Sequence, residues 1–460
     1  MTTQSPPIVS LQAPKDVSLS EIEAELSKIW QSYGVDGAQG AVPAATRATT
    51  FSLVVYEPEE TQHLLTALGF YSGPIDGIPG PRTAGALREA QKSYGLQVSG
   101  KATPETLAKL REEIAKRQGN GANGEDNGTQ GMSYALDAKS PTIADAIATR
   151  NPCRIVALCP VAGDDEGVTA QVSAYCPIQK RSSSTTLICC EYITLKGTVA
   201  ALERVGGVVA NLLIGGLPKF LWWKATPDPN NGLFQRMAAV CNSVVVDSSG
   251  FSDSQTDFLR LQELLEAGTP VADLNWRRLS SWQELTAETF DPPQRRAALK
   301  EVDRVTIDYQ KGNPAQALMF LGWLASRLQW RPSDFAQVGG DYDLKRIHFI
   351  GADERQVEAE LAGVPTADLG GIPGDLVALR LNSTNPKADC CTVLCSETSG
   401  CMRMEAGGGA QSCRFEQVTS PSDQKAEELL SQQLQRWGRD PLYEESLAVT
   451  AQILKLAISN

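Results

Sequence analysis

Only two histidines, His63 and His348, stand among 460 residues, and that scarcity removes several chemistries at once. A histidine zinc site, a metalloprotease or a Ser-His-Asp hydrolase needs an imidazole beside partners at set spacings. Neither histidine has a ligand-spaced neighbour or a triad motif, so both are expected to be structural, His63 in a helix and His348 inside the strand-like run 344–350. Three glycine groups, Gly206-Gly207, Gly215-Gly216 and Gly407-Gly408-Gly409, lack the G-x-G-x-x-G or G-x-x-x-x-G-K-[ST] setting of a phosphate loop and read as helix ends and turns. Asp164, Asp165 and Glu166 sit between Gly163 and Gly167, which suits a solvated turn; a hard cation would need more oxygens in fixed geometry. The reading is of a chain that is not an enzyme, with no catalytic residue, metal ligand or cofactor-binding residue assigned, and no cofactor.

Eleven cysteines are the remaining reactive groups. Cys390, Cys391, Cys395, Cys401 and Cys413 crowd one stretch, and the run 391–405 reads as a hairpin around a polar loop, 396–400. In that register Cys395 and Cys401 face each other, with a cross-strand Cα separation of ~4.5–5.5 Å, within the ~4.4–6.8 Å a disulfide tolerates. A slip of one residue would send them to opposite faces. Cys395 and Cys401 are therefore the redox disulfide candidates: oxidation would order a partner-facing hairpin, and thioredoxin-type reduction would reverse it. The alternative is that they are buried small hydrophobes. Cys189 and Cys190 are adjacent in a strand, point apart, and are expected in the core.

The formal net charge of -12 argues against an electrostatic grip on nucleic acid or an anionic membrane. No run approaches the ~18 apolar residues of a membrane span, and residues 1–19 have no basic start, apolar stretch or cleavage site. A cytoplasmic, reducing setting is expected, where thiols are mostly free.

Residues 1–18 are polar, contain Pro6, Pro7 and Pro14, and read as a loose arm. The segments 19–60 and 132–291 alternate strand-like and helix-like runs, which predicts a discontinuous α/β domain with a mixed sheet and helices on its faces. Strand 51–56, helix 142–150 and strand 154–158 form a βαβ unit, implying a parallel crossover. From 292 to 460, a helix at 314–328 precedes short strands joined by polar turns, and two helices close the chain. That predicts an α+β domain with an antiparallel meander.

Inside the crossover lies a self-contained module, 61–117, followed by a flexible linker, 118–131, rich in Gly and Asn. Its pattern is helix, turn, helix, turn, helix, with Leu64, Leu65 and Leu68 on the first face, a stop at Gly69 and Pro104 at the start of the last helix. Leu68-Gly69, Asp76-Gly77-Ile78-Pro79-Gly80, Arg82-Thr83, Ala90-Gln91, Tyr94-Gly95-Leu96 and Ser99-Gly100 resemble the peptidoglycan-binding-like three-helix domain. It departs from that family at Ala90, where an aromatic usually precedes the glutamine, and reads as a recruited docking or spacing element.

Outside the module the chain resembles the glucose-6-phosphate dehydrogenase assembly protein family, often called OpcA. The resemblance rests on Asn151-Pro-Cys-Arg-Ile-Val156, on Asn211 to Trp223 with its Leu-Pro and Trp-Trp elements, and on Asp303 to Trp330 with Asn313, Pro314, Gly322-Trp323, Arg327-Leu328 and Trp330. It implies a non-catalytic partner that assembles or activates glucose-6-phosphate dehydrogenase, in the version found in cyanobacteria. Trp222, Trp223, Asn313, Trp323 and Arg327 are the partner-binding candidates. Two other classes compete: a cell-wall (peptidoglycan) binding protein using the module directly, and a sugar-phosphate enzyme built on the α/β domain.

Overall fold

In the computed structural model the described residues are 8–33, 44–73, 75, 77, 80–120, 147, 150–177, 186–365, 372, 374–385, 387–388, 390, 392–396, 402–406, 425–436 and 438–459. They form two compact units that divide between Val246 and Asp247, with Leu430–Arg436 returning to the first.

The first unit runs β1 (Ile8–Val17), α1 (Ile22–Tyr33), β2 (Ala44–Arg47), β3 (Ser52–Tyr56), α2 (Glu60–Ala67), α3 (Pro81–Ser93), α4 (Pro104–Asn120), β4 (Arg154–Pro160), β5 (Thr169–Pro177), β6 (Thr186–Gly197), α5 (Val199–Arg204), α6 (Gly206–Leu212), β7 (Lys219–Trp223), α7 (Gly232–Val240) and β8 (Ser243–Val246). Its sheet has the order β1-β5-β6-β4-β3-β7-β8, with β2 on β6. β3 lies parallel to both β4 and β7, as the βαβ reading requires. Leu53, Val54 and Val55 are all buried, because a central parallel strand has both faces covered.

One expectation changes here. Residues 1–18 are not a loose arm throughout, since β1 pairs antiparallel with β5, Ser10 opposite Tyr175 and Val17 opposite Ala170. Its prolines disguised it: Pro14 falls in the irregularity between Gln12 and Lys15, on an edge strand where a missing N–H is tolerated. β2 is a short strand that precedes β3 and lies parallel to β6. The helical stretch 199–212 is broken at Val205 into α5 and α6, the first capped by the Thr198 hydroxyl, which accepts from Ala201 N at 3.2 Å. The linker lies outside the described residues beyond 120, as does helix 142–150 apart from Ile147 and Arg150.

In the module, Leu64, Leu65, Leu68, Leu87, Ala90, Leu107 and Leu110 form one core. α2 and α3 end alike. Gly69 takes φ 84° and Gly95 φ 68°, and the residues after them donate back, Phe70 N to Leu65 O at 2.9 Å and Leu96 N to Gln91 O at 2.8 Å. The Gln91 side chain, fully buried, accepts from Ser99 N and Gly100 N and donates to Lys101 O, each at 2.9 Å, which explains the Ser-Gly turn.

The second unit contains α8 (Ser254–Glu266), β9 (Val271–Asp273), α9 (Leu274–Arg278), α10 (Ser280–Thr289), α11 (Pro293–Ala298), β10 (Arg304–Gln310), α12 (Ala315–Leu328), β11 (Arg331–Gly339), β12 (Leu344–Ile350), β13 (Gln356–Val364), β14 (Leu376–Asn382), β15 (Thr392–Ser396) and β16 (Met402–Ala406); α13 (Ala426–Gln433) straddles the division and α14 (Pro441–Ser459) ends the unit. The division falls before residue 292 because α8 packs against α14. Its sheet, β11-β12-β13-β10-β14-β15-β16, is an antiparallel meander apart from the parallel pair β10 and β13. One face is apolar, with Val305, Ile307, Tyr309, Ile347, Phe349 and Leu361 buried, and α12 is buried from Ala315 to Ala325.

α12 and α14 approach closely at Gly322. A Cβ there would lie 2.2 Å from Thr450 Oγ1 and 2.6 Å from the backbone carbonyl of Ser446. Backbone cannot rotate aside as a side-chain tip can, so Gly322→Ala should destabilise the second unit by about 1–3 kcal/mol in urea denaturation.

Candidate functional site

The Asn151 to Arg154 motif is a set of anchors. Asn151 donates to Ser431 O at 2.9 Å and to its hydroxyl at 2.8 Å, so the motif holds the returning segment 430–436. Cys153 N–H donates to Cys190 Sγ at 3.3 Å. Arg154, 3% exposed, donates from Nε to the buried Glu191 carboxylate at 2.6 Å and from Nη1 to Leu212 O at 2.8 Å, and also pairs with Glu23. Trp30 Nε1 donates to the other Glu191 oxygen at 2.5 Å. The guanidinium fork thereby ties α1, β4, β6 and the end of α6 together.

The antiparallel register sets Tyr175 opposite Cys190, which brings Cys176 against Cys189. These two form a disulfide, 13 residues apart in sequence. Cys189 and Cys190 are both buried, as expected of core residues, but only Cys190 keeps its thiol. A loop of this size predicts about 3 kcal/mol of stabilisation, so Cys189→Ser should lower stability by about that much under oxidising conditions, and excess dithiothreitol should abolish the difference. Of the other expected pair, Cys395 lies in β15, whose Ser396 pairs with Met402 of β16, and Cys401 lies outside the described residues.

The module is fastened to its host. Glu60, 3% exposed, pairs with Arg111 of α4 (Nε at 3.1 Å) and accepts from Ala162 N at 3.4 Å, and Ala162 packs on the module core. Glu57 pairs with Lys224 at 2.6 Å, and the Lys224 ammonium lies 5.0 Å from the Trp222 ring centroid. Burial, outweighing the nearby Glu57, pushes His63 down to about 4, so it is neutral at pH 7. Beside this seam is a cleft of about 330 Å³, lined among others by Glu59, Thr61, Gln62, Thr83, Lys101 and Ala162. Burial raises the Glu59 carboxyl above its usual range.

Of the five partner-contact candidates, four are buried. Trp222 and Trp223 are 1% and 2% exposed, on opposite faces of β7. Trp223 stacks on Tyr56 with centroids 3.7 Å apart and donates to Thr226 O at 3.3 Å. Asn313 accepts from Ala315 N at 2.9 Å and donates to Ser248 O and Ser249 O, at 3.1 and 2.9 Å, so it starts α12 and clamps a loop. Trp323 packs on Phe320 within the second unit. Arg327 alone presents substantial surface, 39% exposed, paired with Glu445, which lines an open groove of about 560 Å³ with Trp330 and Gln452.

Sequence reasoning missed a buried polar network in the second unit. Asp247 makes a two-point ion pair with Arg278, at 2.7 and 2.8 Å. Asp273 Oδ1 accepts from Ser248 N at 3.0 Å and Asn275 N at 2.9 Å, while Oδ2 and the buried Tyr443 hydroxyl have no hydrogen-bond partner among the described residues. Burial, then the charge of Asp247, raises Asp273 to about 6. The Asp-Leu-Asn signal of a helix cap was there to be read at 273–275. Among the described residues no group of three or more His, Cys, Asp or Glu could hold a metal ion, and no helix is long and apolar enough to cross a membrane.

These features define a two-unit α/β protein with an inserted helical module of the peptidoglycan-binding type. Residues 144–263 and 269–447 match the N-terminal and C-terminal domains of the glucose-6-phosphate dehydrogenase subunit family, and residues 57–110 match the peptidoglycan binding domain. Proteins named OxPP cycle protein OpcA are similar over nearly the whole length: 70% identity in Nostoc punctiforme, covering 99% of this chain and 97% of that one; 55% in Synechocystis, covering 99% and 95%; and 52% in Synechococcus elongatus, covering 99% of each. The chain belongs to the glucose-6-phosphate dehydrogenase assembly protein (OpcA) family. An aldose-aldose oxidoreductase from Caulobacter crescentus aligns at a TM-score of 0.36 and 15% identity over 57% of this chain and 82% of that one, too slight a likeness to define a shared fold.

Proposed function

We propose that this chain is a non-catalytic assembly partner and activator of glucose-6-phosphate dehydrogenase, acting in the cytoplasm within the oxidative pentose phosphate route. The supporting observation is that the polar motif residues Asn151, Arg154 and Asn313 are consumed in holding the chain's own structure. Arg327 and the groove beside Glu445 are the partner-facing part of the proposal, and the fastened module serves as a docking or spacing element. A thiol switch at Cys395 and Cys401, reduced by a thioredoxin, is its regulatory part.

The test is dehydrogenase rate against glucose 6-phosphate concentration, with and without the chain, oxidised and reduced. A lower apparent KM or higher rate supports activation, and an effect larger for the oxidised chain that disappears in Cys395→Ser but persists in Cys189→Ser assigns the switch. An unchanged curve under every condition would sink the activation reading. Pelleting with purified peptidoglycan would then favour the wall-binding alternative.

A further inference from the structure

The geometry points to the open face of the second sheet as an interface between two copies of this chain. Alternate residues of β10, β12 and β13 are buried, and their neighbours are half-exposed. α12 and α14 serve the apolar face; the other face carries side chains held in register and exposed to solvent. Across it Arg346 meets Glu360 at 3.1 Å and Glu358 at 3.5 Å, Arg380 meets Asp308 at 3.0 Å, and Arg304 pairs with Glu358. His348 lies between Asp334 at 3.4 Å and Glu358 at 3.7 Å. The arginines keep 40–47% of their side-chain surface exposed.

Charge selects the occupant. Two copies of a chain with net charge -12 repel each other wherever acidic surfaces meet. This face is close to neutral: Arg304, Arg346 and Arg380 stand against Asp308, Asp334, Glu358 and Glu360, with the signs interleaved along neighbouring strands. An interleaved pattern offers each copy partners of both signs, as a self-complementary two-fold contact requires. It is built from arginine, which interfaces favour, while Lys345 of the same strand is turned into the buried side. The arginines are already fixed by carboxylates, so little rotamer freedom remains to be lost on association.

The dimensions suffice. Six strands, β11 to β15 with β10, spaced about 4.8 Å apart and about seven residues long at about 3.3 Å per residue, give roughly 600 Å² before side-chain relief. A specific interface has to clear roughly 1,000 Å² in total, about 500 Å² per partner. Packing of two such faces follows the aligned or orthogonal geometries open to any pair of twisted sheets.

The test is sedimentation equilibrium of the full chain over a concentration series, repeated for Thr306→Arg and Ala336→Glu. Both substitutions add a bulky charge on the solvent side of the face, Thr306 opposite Arg380 and Ala336 opposite Arg346, and break its interleaved pattern without touching the core. The expected result is a dimer whose dissociation constant rises about tenfold or more in each variant, with circular dichroism and melting temperature unchanged, while Val98→Glu on the module leaves it alone. A monomer at every concentration overturns the proposal, as does a dimer indifferent to both variants. If the chain is monomeric and the variants instead lose binding to glucose-6-phosphate dehydrogenase, the face belongs to the enzyme and the two-copy assignment fails. This inference stands apart from the proposed activation: dimerisation is read without the enzyme present.

Discussion

Arg154→Met is expected to destabilise the first unit by about 3–5 kcal/mol, because it strands the Glu191 carboxylate, 1% exposed, without its cation. Trp30 would remain as a donor to one oxygen, and a single neutral donor cannot replace a charged one. The double variant Arg154→Met with Glu191→Leu should recover part of the loss, since removing both charges also removes their desolvation cost. Urea denaturation of the three proteins measures this, and a double variant no more stable than Arg154→Met would show that the loss comes from packing rather than from the stranded charge. Because Arg154 also donates to Leu212 O, α6 should be the first helix to lose hydrogen-exchange protection.

Asp273→Asn should make the second unit more stable at pH 8 and leave it nearly unchanged at pH 4. The folded protein holds this carboxyl at about 6 against an ordinary 3.8, so folding favours the protonated form. The sign is that of a raised acid: the group is harmless below pH 4, and its stability contribution is lost progressively as pH rises from 4 through 6. Two pH units correspond to about 3 kcal/mol at most. Asparagine keeps an oxygen for the Ser248 and Asn275 amides and puts an NH2 where the unpartnered oxygen stood. Melting temperature against pH should rise less steeply on acidification in the variant than in the parent; parallel profiles would place the charge cost elsewhere.

The helices of the module were legible because their stops are chemical: Gly69 and Gly95 have to take positive φ, and Gln91 has to face the Ser-Gly turn. The parallel pairing of β3 with β4 followed from the chain order once the insertion was set aside. β10, β11 and β13 were not foreseen. The motifs of 303–330 and its helix at 314–328 draw attention away from the strand before it, and in β10 and β13 charged residues alternate with apolar ones on a face that nothing among the described residues covers, diluting the apolar signal. β1 was hidden by prolines that an edge strand tolerates. Trp222, Trp223 and Asn313 stood out by type, but whether a distinctive residue faces a partner or the core depends on contacts distant in sequence, and sequence spacing is silent about those. The same holds for Cys176 and Cys189, whose bond follows from the β5–β6 register alone.

The position of the module, between two adjacent strands, has a kinetic consequence. β3 and β4 are hydrogen-bonded neighbours at the centre of a sheet, yet everything from Glu57 to Cys153 intervenes between them. Pairing them across an unstructured chain of that length would carry a loop-closure penalty and a high contact order, both of which slow folding. The module's helices are local and leave the ribosome before β4 does, so forming them first shortens the effective tether between the two strands. On this view the module is a folding spacer, and an unfolded module would delay the central sheet of its host.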